Sequence, residues 1–337
     1  MNGIRGVSLR GLNTLGVAAR AGRLVELEHV EQLETTRFDP ERDLVLGGGS
    51  NVLLAGDMPG AVLLNRLRGR AVCAEDGDTV QVRVGAGEPW HEFVRWTVRQ
   101  GFSGLENLSL IPGLCGAAPI QNIGAYGVEL AETVHTVEAW DWERRATRHF
   151  DRADCAFAYR DSRFKSGEPD RYLVTALVLT LDRGFQPRLD YSGLREELEA
   201  LGRDHPTARD VSDAVIRIRR RKLPDPAVIG NAGSFFKNPI LNEAMAQRLR
   251  EQEPDLPLHP AGRDTWKTSA AWLIERCGWK GHREGDAGIS AQHALVLVNH
   301  GEATGAQLVD LARRVRASVK ERYGVMLENE PRIVGGP

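Results

Sequence analysis

Apolar positions along the chain recur with two different periods, and the switches between them lay out the elements. Leu44–Leu46, Ala61–Leu64 and the alternating Val80, Val82 and Val84 have the spacing of strands. From Glu88 to Arg99 the period lengthens. Trp90, Phe93, Val94 and Val98 share one helical face, and Gly101 is the stop. Val134–Trp140 and Tyr172–Leu181 are predicted strands, the second apolar almost throughout, as a strand covered on both faces would be. A helix is predicted over Pro206–Arg221, with Val211, Ala214, Val215 and Ile218 at helical spacing. It must end before Pro224-Asp225-Pro226, which is the predicted domain boundary. The last third predicts a helix near Asn242–Arg250, a loop rich in Pro and His, and a helix over Ser269–Cys277 stopped by Gly278. A strand at Ala294–Val298 follows, then a long helix from an N-cap at Thr304 to Tyr323 with Gly324 beyond it. A final strand is expected around Val325–Leu327. No repeat or low-complexity tract appears, and the expected class is α+β.

Composition narrows what such a chain can do. Of 337 residues, 42% are hydrophobic and 27% charged, a folding rather than a disordered balance. A net charge of -2 provides no global field for nucleic acid or an anionic membrane, so any anion site must be local. Cys73, Cys115, Cys155 and Cys277 are scattered, with neither a CxxC pair nor metal-ligand spacing, which fits a reducing compartment and no metal. Met1–Leu15 lacks the apolar core of a signal peptide and no apolar run reaches membrane-spanning length, so a cytoplasmic location is expected. The 36 glycines cluster, which points to ligand sites built from backbone.

Two glycine-rich segments need more than a turn to explain them. In Gly47-Gly48-Gly49-Ser50-Asn51, three glycines admit close approach of a ligand, and successive N–H groups can converge on a pyrophosphate. A strained hairpin turn is the plain alternative. The segment is neither a GxGxxG opening a helix nor a P-loop, so a Rossmann fold is a poor assignment. The second segment, Ile111-Pro112-Gly113-Leu114-Cys115-Gly116-Ala117-Ala118-Pro119-Ile120-Gln121-Asn122-Ile123-Gly124-Ala125-Tyr126-Gly127, is long, uncharged and apolar. It suits a flat ring lying on backbone, with a buried crossover as the alternative.

These two segments, with Tyr159–Lys165, Gly230–Pro239 and Leu327–Glu330 following in order, resemble the UDP-N-acetylenolpyruvoylglucosamine reductase family, also called UDP-N-acetylmuramate dehydrogenases. The resemblance spans nearly the whole chain. It implies an FAD-binding fold of the vanillyl-alcohol-oxidase type in two subdomains, 1–70 and 71–223, then a substrate-binding domain over 224–324 and a C-terminal strand over 325–337 returning to the active site. It also implies NADPH as electron donor, UDP-N-acetylglucosamine enolpyruvate as substrate, and a step in peptidoglycan precursor synthesis with no obligatory protein partner.

The implied site residues follow from the same motifs. FAD would be held by Gly47, Gly48, Gly49, Ser50, Asn51, Ile111, Pro112, Gly113, Gly116, Ala117, Ile120, Asn122, Gly124 and Val174. Arg160, Ser234 and Glu330 would be catalytic. Arg160 has the planar fork that pairs a carboxylate in two places, though a surface ion pair is the usual fate of an arginine. A serine hydroxyl such as that of Ser234 can protonate only a strongly basic carbon or enol intermediate, and Lys237 or a nearby donor could steady the alkoxide. Glu330 would hydrogen-bond the enol. Tyr126, Lys222, Asn238 and His293 would contact the UDP-sugar, and Tyr191 matches the larger subtype, whose loop covers the nucleotide. Ala117 and Ala118 stand where the family commonly has serines, which removes a hydroxyl contact to the flavin. An FAD-dependent alcohol oxidase or dehydrogenase of the same fold, and a non-catalytic nucleotide-sugar-binding protein, are the rival readings.

Overall fold

The computed structural model describes residues 4–335 and divides them into two compact units. The first comprises residues 4–7, Ala21–Gly49 and 58–221; the second comprises Ser8–Arg20, Ser50–Asp57 and 222–335. The chain passes between them after Val7, Arg20, Gly49 (inside the first glycine segment), Asp57 and Arg221.

The first unit is built on two sheets. In the five-stranded antiparallel sheet the order is Ala146–Asp151, Val134–Asp141, Tyr172–Asp182, Thr79–Gly85, Arg70–Asp76. Tyr172–Asp182 is central, and every residue from Tyr172 to Leu177 is buried, Thr175 included, as its nearly continuous apolar run predicts. One cluster joins Val174, Leu177, Leu179 and Leu181 to Val80, Val82, Val84 and to Trp90, Phe93 and Val94 of the Trp90–Arg99 helix. A separate cluster joins Leu173 and Trp140 to Leu27, Leu33, Ala61 and Leu63. The second sheet runs Ile4–Ser8, Arg20–Leu27, Met58–Asn65, Leu44–Leu46, with Met58–Asn65 parallel to both neighbours. The helix begins at Trp90 because Pro89 is extended, at ψ 125°, and its ring disfavours helical backbone at the residue before it, and Gly101 leaves the helix at φ 79°.

Asp141 shows how this unit keeps a charge inside. Its side chain is fully buried, and it accepts from Arg171 Nη2 at 2.9 Å and from the backbone N–H groups of Glu143 and Arg144 at 3.0 and 3.1 Å. Burial alone would raise its pKa. Arg171 and the backbone donors outweigh burial and hold it below the ordinary value. The stability this supplies is present above the unfolded carboxyl's pKa of about 4 and is lost as the pH falls through the lower folded value. Asp141→Asn is expected to cost about 2–4 kcal/mol at pH 7 in denaturant unfolding and to flatten the acid limb below about pH 4. An unchanged acid limb would show that Asp141 does not carry it.

In the second unit, Gly230–Asn231, Leu297–Asn299, Ala287–Ile289 and Arg283–Glu284 form one sheet. A three-stranded antiparallel sheet has Thr265–Thr268 between Ile240–Asn242 and Leu258–Gly262. The long helix is Gly305–Tyr323, with a reciprocal capping box between Thr304 and Gln307 and Gly324 at φ 71° beyond its end. Helices Glu243–Gln252 and Ala270–Arg276 are capped by the side chains of Asn242 and Ser269.

Two predicted strands are corrected. Val325 and Leu327 are buried around an exposed Met326, but this period-two pattern belongs to an unpaired extended segment. Alternation reports burial, whereas pairing needs a neighbouring edge. The terminal strand is instead Arg332–Val334, parallel to Val52–Leu54. The strand expected at Ala294–Val298 begins only at Leu297, because Val296 N–H turns back to the His293 carbonyl.

Candidate active site

The two glycine segments meet within the first unit. A Cβ placed on Gly48 would lie 3.0 Å from Gly113 Cα, and one on Gly47 would lie 3.6 Å from Leu114 Cδ1. Gly49 has φ 62°. At Gly48 backbone therefore faces backbone, with the Leu114 side chain packed beside it. That is the cradle a flat cofactor needs. At Gly116 the demand comes from the fold itself, since a Cβ there would stand 2.6 Å from Ala86 Cβ. Ala117 is exposed and Ala118 is buried in the large apolar cluster. Ile111 packs against that cluster and Pro112 is exposed.

Several predicted contact residues are spent on the fold. Asn122 is buried at φ 43°; its Nδ2 donates to Glu129 Oε2 and to the Ala158 carbonyl, and its Oδ1 accepts from Ala131 N–H. What it can still offer a ligand is chiefly backbone. The Ile120 carbonyl accepts from Ser162 Oγ at 2.7 Å, and the Val174 carbonyl accepts from Asn65 Nδ2 at 2.9 Å. Val174 is itself buried in the central strand.

Arg160 and Tyr126 stand in one neighbourhood. Gly124–Ala125 pairs with Val128–Glu129, which leaves Tyr126-Gly127 as a two-residue turn with φ 50° and 81°. Both residues of a type I′ turn need positive φ. Arg160, also left-handed at φ 54°, donates from Nη2 to the Gly124 carbonyl at 2.6 Å, and its guanidinium lies 5.2 Å from the Tyr159 ring centroid. Asp161 Oδ1 accepts from Ser162 N–H at 2.8 Å. The ring of Tyr126 meets that of Tyr191 edge-on at 4.9 Å, and Tyr191 is 46% exposed. Leu110, Asn122, Tyr126 and Arg160 are all non-glycine residues in the left-handed region, at about 1–2 kcal/mol each for a residue without a compensating bond. Such outliers concentrate at functional sites.

The second unit brings Ser234 and Glu330 onto adjoining extended segments. Glu330 N–H donates to the Phe235 carbonyl at 2.9 Å, Phe236 bridges Asn329, and Lys237 N–H donates to the Glu328 carbonyl at 2.9 Å. Ser234 follows a turn in which Gly233, at φ 68°, donates its N–H to Asn231 Oδ1. Asn51, from the first glycine segment, lies behind Glu330: its carbonyl accepts from Arg332 N–H at 3.2 Å and its Nδ2 reaches the Glu330 carbonyl at 3.5 Å. Lys237 Nζ is 3.1 Å from Glu328 Oε2, so its charge is directed to that carboxylate.

Three further predicted residues lie in the second unit. Asn238 Oδ1 accepts from Ala270 N–H at 3.0 Å, which fixes the amide with its nitrogen as the outward donor. His293 Nδ1 accepts from Leu295 N–H at 3.3 Å, so the proton of the neutral ring sits on Nε2. Burial first, then Lys222 and Lys280, push the His293 pKa below its ordinary value, keeping the ring a neutral donor. Among the described residues no group of three or more His, Cys, Asp or Glu could hold a metal, and no helix is long and apolar enough to cross a membrane.

Comparison with known proteins decides the family. The model described as UDP-N-acetylenolpyruvoylglucosamine reductase, C-terminal domain, matches residues 225–334, and an FAD-binding domain model matches 28–145. The chain is 54% identical to the UDP-N-acetylenolpyruvoylglucosamine reductase of Xanthomonas euvesicatoria pv. vesicatoria over 97% of its own length and 95% of the relative's. The chain belongs to this family. It is therefore an FAD-dependent oxidoreductase of α+β fold, as the resemblance implied. The Xylella fastidiosa reductase is 52% identical over 97% of this chain and 94% of its own. A crystal structure of the reductase from Thermus caldophilus matches with a TM-score of 0.66 at 30% identity, covering 97% of each chain.

Two side chains that the motifs did not single out stand in the first unit's half of this reductase. Arg219 Nε donates to the Leu110 carbonyl at 3.2 Å, and burial, ahead of the nearby Arg160, lowers its pKa. The signal was present in its helical spacing: Arg219 is four residues after Val215, on the face that Val211 and Ile218 bury. His91, one residue into the Trp90–Arg99 helix, accepts from Leu110 N–H at 2.9 Å. Nothing in its sequence context marks it.

Proposed function

We propose that this enzyme reduces UDP-N-acetylglucosamine enolpyruvate to UDP-N-acetylmuramate with electrons from NADPH, in the cytoplasm, as a step of peptidoglycan precursor synthesis. The observation that carries the reading is the register that sets the Ser234 segment against Glu330 through the Phe235 carbonyl. Family membership and the glycine cradle at Gly47, Gly48 and Gly113 support FAD as the cofactor. FAD, when bound, supplies the hydride relay from NADPH to the methylene carbon of the enol ether.

Each residue then has one task. Arg160 pairs the substrate carboxylate, which draws electron density from the double bond and favours attack at the methylene. The adjacent carbon gains an electron pair, and Ser234 Oγ–H gives it a proton. Glu330 hydrogen-bonds the enolate form before that transfer. Hydride and proton together saturate one C=C bond, and solvent returns the proton to Ser234. Tyr126, Tyr191, Lys222, Asn238 and His293 hold the UDP-sugar. The neutral His293 with its Nε2–H and the outward Asn238 amide are donors suited to diphosphate oxygens.

Purified protein reduced anaerobically with NADPH should regain the oxidised flavin spectrum when the enol ether is added without oxygen. Reoxidation by oxygen alone would indicate the oxidase reading, and a colourless protein that binds UDP-sugars would indicate the non-catalytic one.

A further inference from the structure

Leu110 stands immediately before the Ile111-Pro112-Gly113 turn with its backbone left-handed, at φ 58°. A residue with a bulky apolar side chain does not hold that conformation unaided. Both polar groups of its backbone are taken by side chains from two helices. Its N–H donates to His91 Nδ1 at 2.9 Å, and its carbonyl accepts from Arg219 Nε at 3.2 Å. The preceding residue is pinned as well. Ser109 Oγ lies 2.7 Å from Ser212 Oγ, which also accepts from Arg95 Nη1 at 3.0 Å. On the far side of the turn the Gly113 carbonyl accepts from Trp90 N–H at 3.0 Å.

We propose that His91 is a positioning residue for the flavin: together with Arg219 it clamps Leu110 in the left-handed conformation that presents Ile111–Gly113 to the cofactor. This rests on the reading of that segment as part of the FAD site. His91 itself need touch neither cofactor nor substrate. Its bond to Leu110 requires a bare Nδ1, hence a neutral imidazole protonated on Nε2. The charged groups facing the ring are Glu92 and Arg95 of its own helix and Arg219 and Arg220 of the Ala208–Lys222 helix. Burial first, then the three arginines, lower the His91 pKa. The clamp is therefore closed at neutral pH and opens as the pH falls through a value below about 6.5.

The test is FAD affinity of the deflavinated full-length protein, read by flavin fluorescence, with thermal unfolding of the apoprotein as a separate readout. His91→Phe removes the acceptor and should weaken FAD binding about tenfold, the worth of one hydrogen bond. His91→Asn can place Oδ1 where Nδ1 stands and should stay within about threefold of the natural chain. Affinity of the natural chain should fall as acidification protonates His91 at its lowered pKa, and that of His91→Asn should show no such fall. Glycine holds a positive φ without help, so in a Leu110→Gly background His91→Phe should cost far less. Unchanged affinity in His91→Phe, or a lowered unfolding temperature at unchanged affinity, would overturn the proposal. So would a loss that Leu110→Gly leaves intact. A natural chain that bound no FAD at all would count against the cofactor site itself.

Discussion

Ser234→Ala is expected to slow anaerobic reoxidation of the reduced enzyme by its enol ether about 10²- to 10⁴-fold, the range for loss of a positioned proton donor. Reduction of the flavin by NADPH should be little affected, because that half-reaction needs no carbon protonation. The fold gives no reason for this exchange to disturb its surroundings. The turn is set by Gly233 and by Asn231 Oδ1, and the neighbouring strand is held by backbone bonds at Phe235 and Lys237. Stopped-flow traces of the two half-reactions separate the outcomes. Equal slowing of both would mean that the serine acts on the cofactor or the fold rather than on the substrate.

Gly305→Ala should destabilise the protein by at least about 3 kcal/mol, although alanine is favoured over glycine in helices by about 1 kcal/mol. Geometry decides between these effects. A Cβ on Gly305 would stand 1.8 Å from the Leu54 carbonyl oxygen and 2.7 Å from Ala55 Cα, both backbone atoms. Leu54 closes the strand that pairs with Arg332–Val334, and Ala55 N–H donates to the Val334 carbonyl at 2.7 Å. Moving it would disturb the ladder next to Asn51 and Glu330, so substrate reduction should suffer with stability. Gly11→Ala, with nothing within 4 Å and φ outside the left-handed range, should change stability by less than about 0.5 kcal/mol. Urea unfolding of both variants checks the pair. Similar midpoints would show that the structure absorbs the contact at Gly305.

Local rules carried much of the fold. The helix over Gly305–Tyr323 was legible end to end because its N-cap, apolar spacing and terminal glycine all lie within a few residues of the backbone groups they satisfy. The central strand Tyr172–Asp182 was legible because burial on both faces leaves few places for polar residues. The Val325–Leu327 strand misled for the complementary reason: alternation records which side chains are covered and is silent on which edge is free. The roles proposed for Arg160, Ser234 and Glu330 rest on motifs, since an isolated arginine, serine or glutamate has no local signature that separates catalysis from solvation.

The sequence by itself determined the α+β class, the ends of the main helices, the two backbone-built segments and, by their order along the chain, the reductase family. Only the tertiary structure decided that Ser8–Arg20 and Ser50–Asp57 belong with the C-terminal unit. It also decided that Asn51 backs Glu330 and that Leu110 is held by side chains 19 and 109 residues away. The physical reason is common to these cases. Hydrophobic period and capping act within one turn or one strand, whereas a parallel ladder or a side-chain clamp on a distant peptide exists only after the chain has closed long loops.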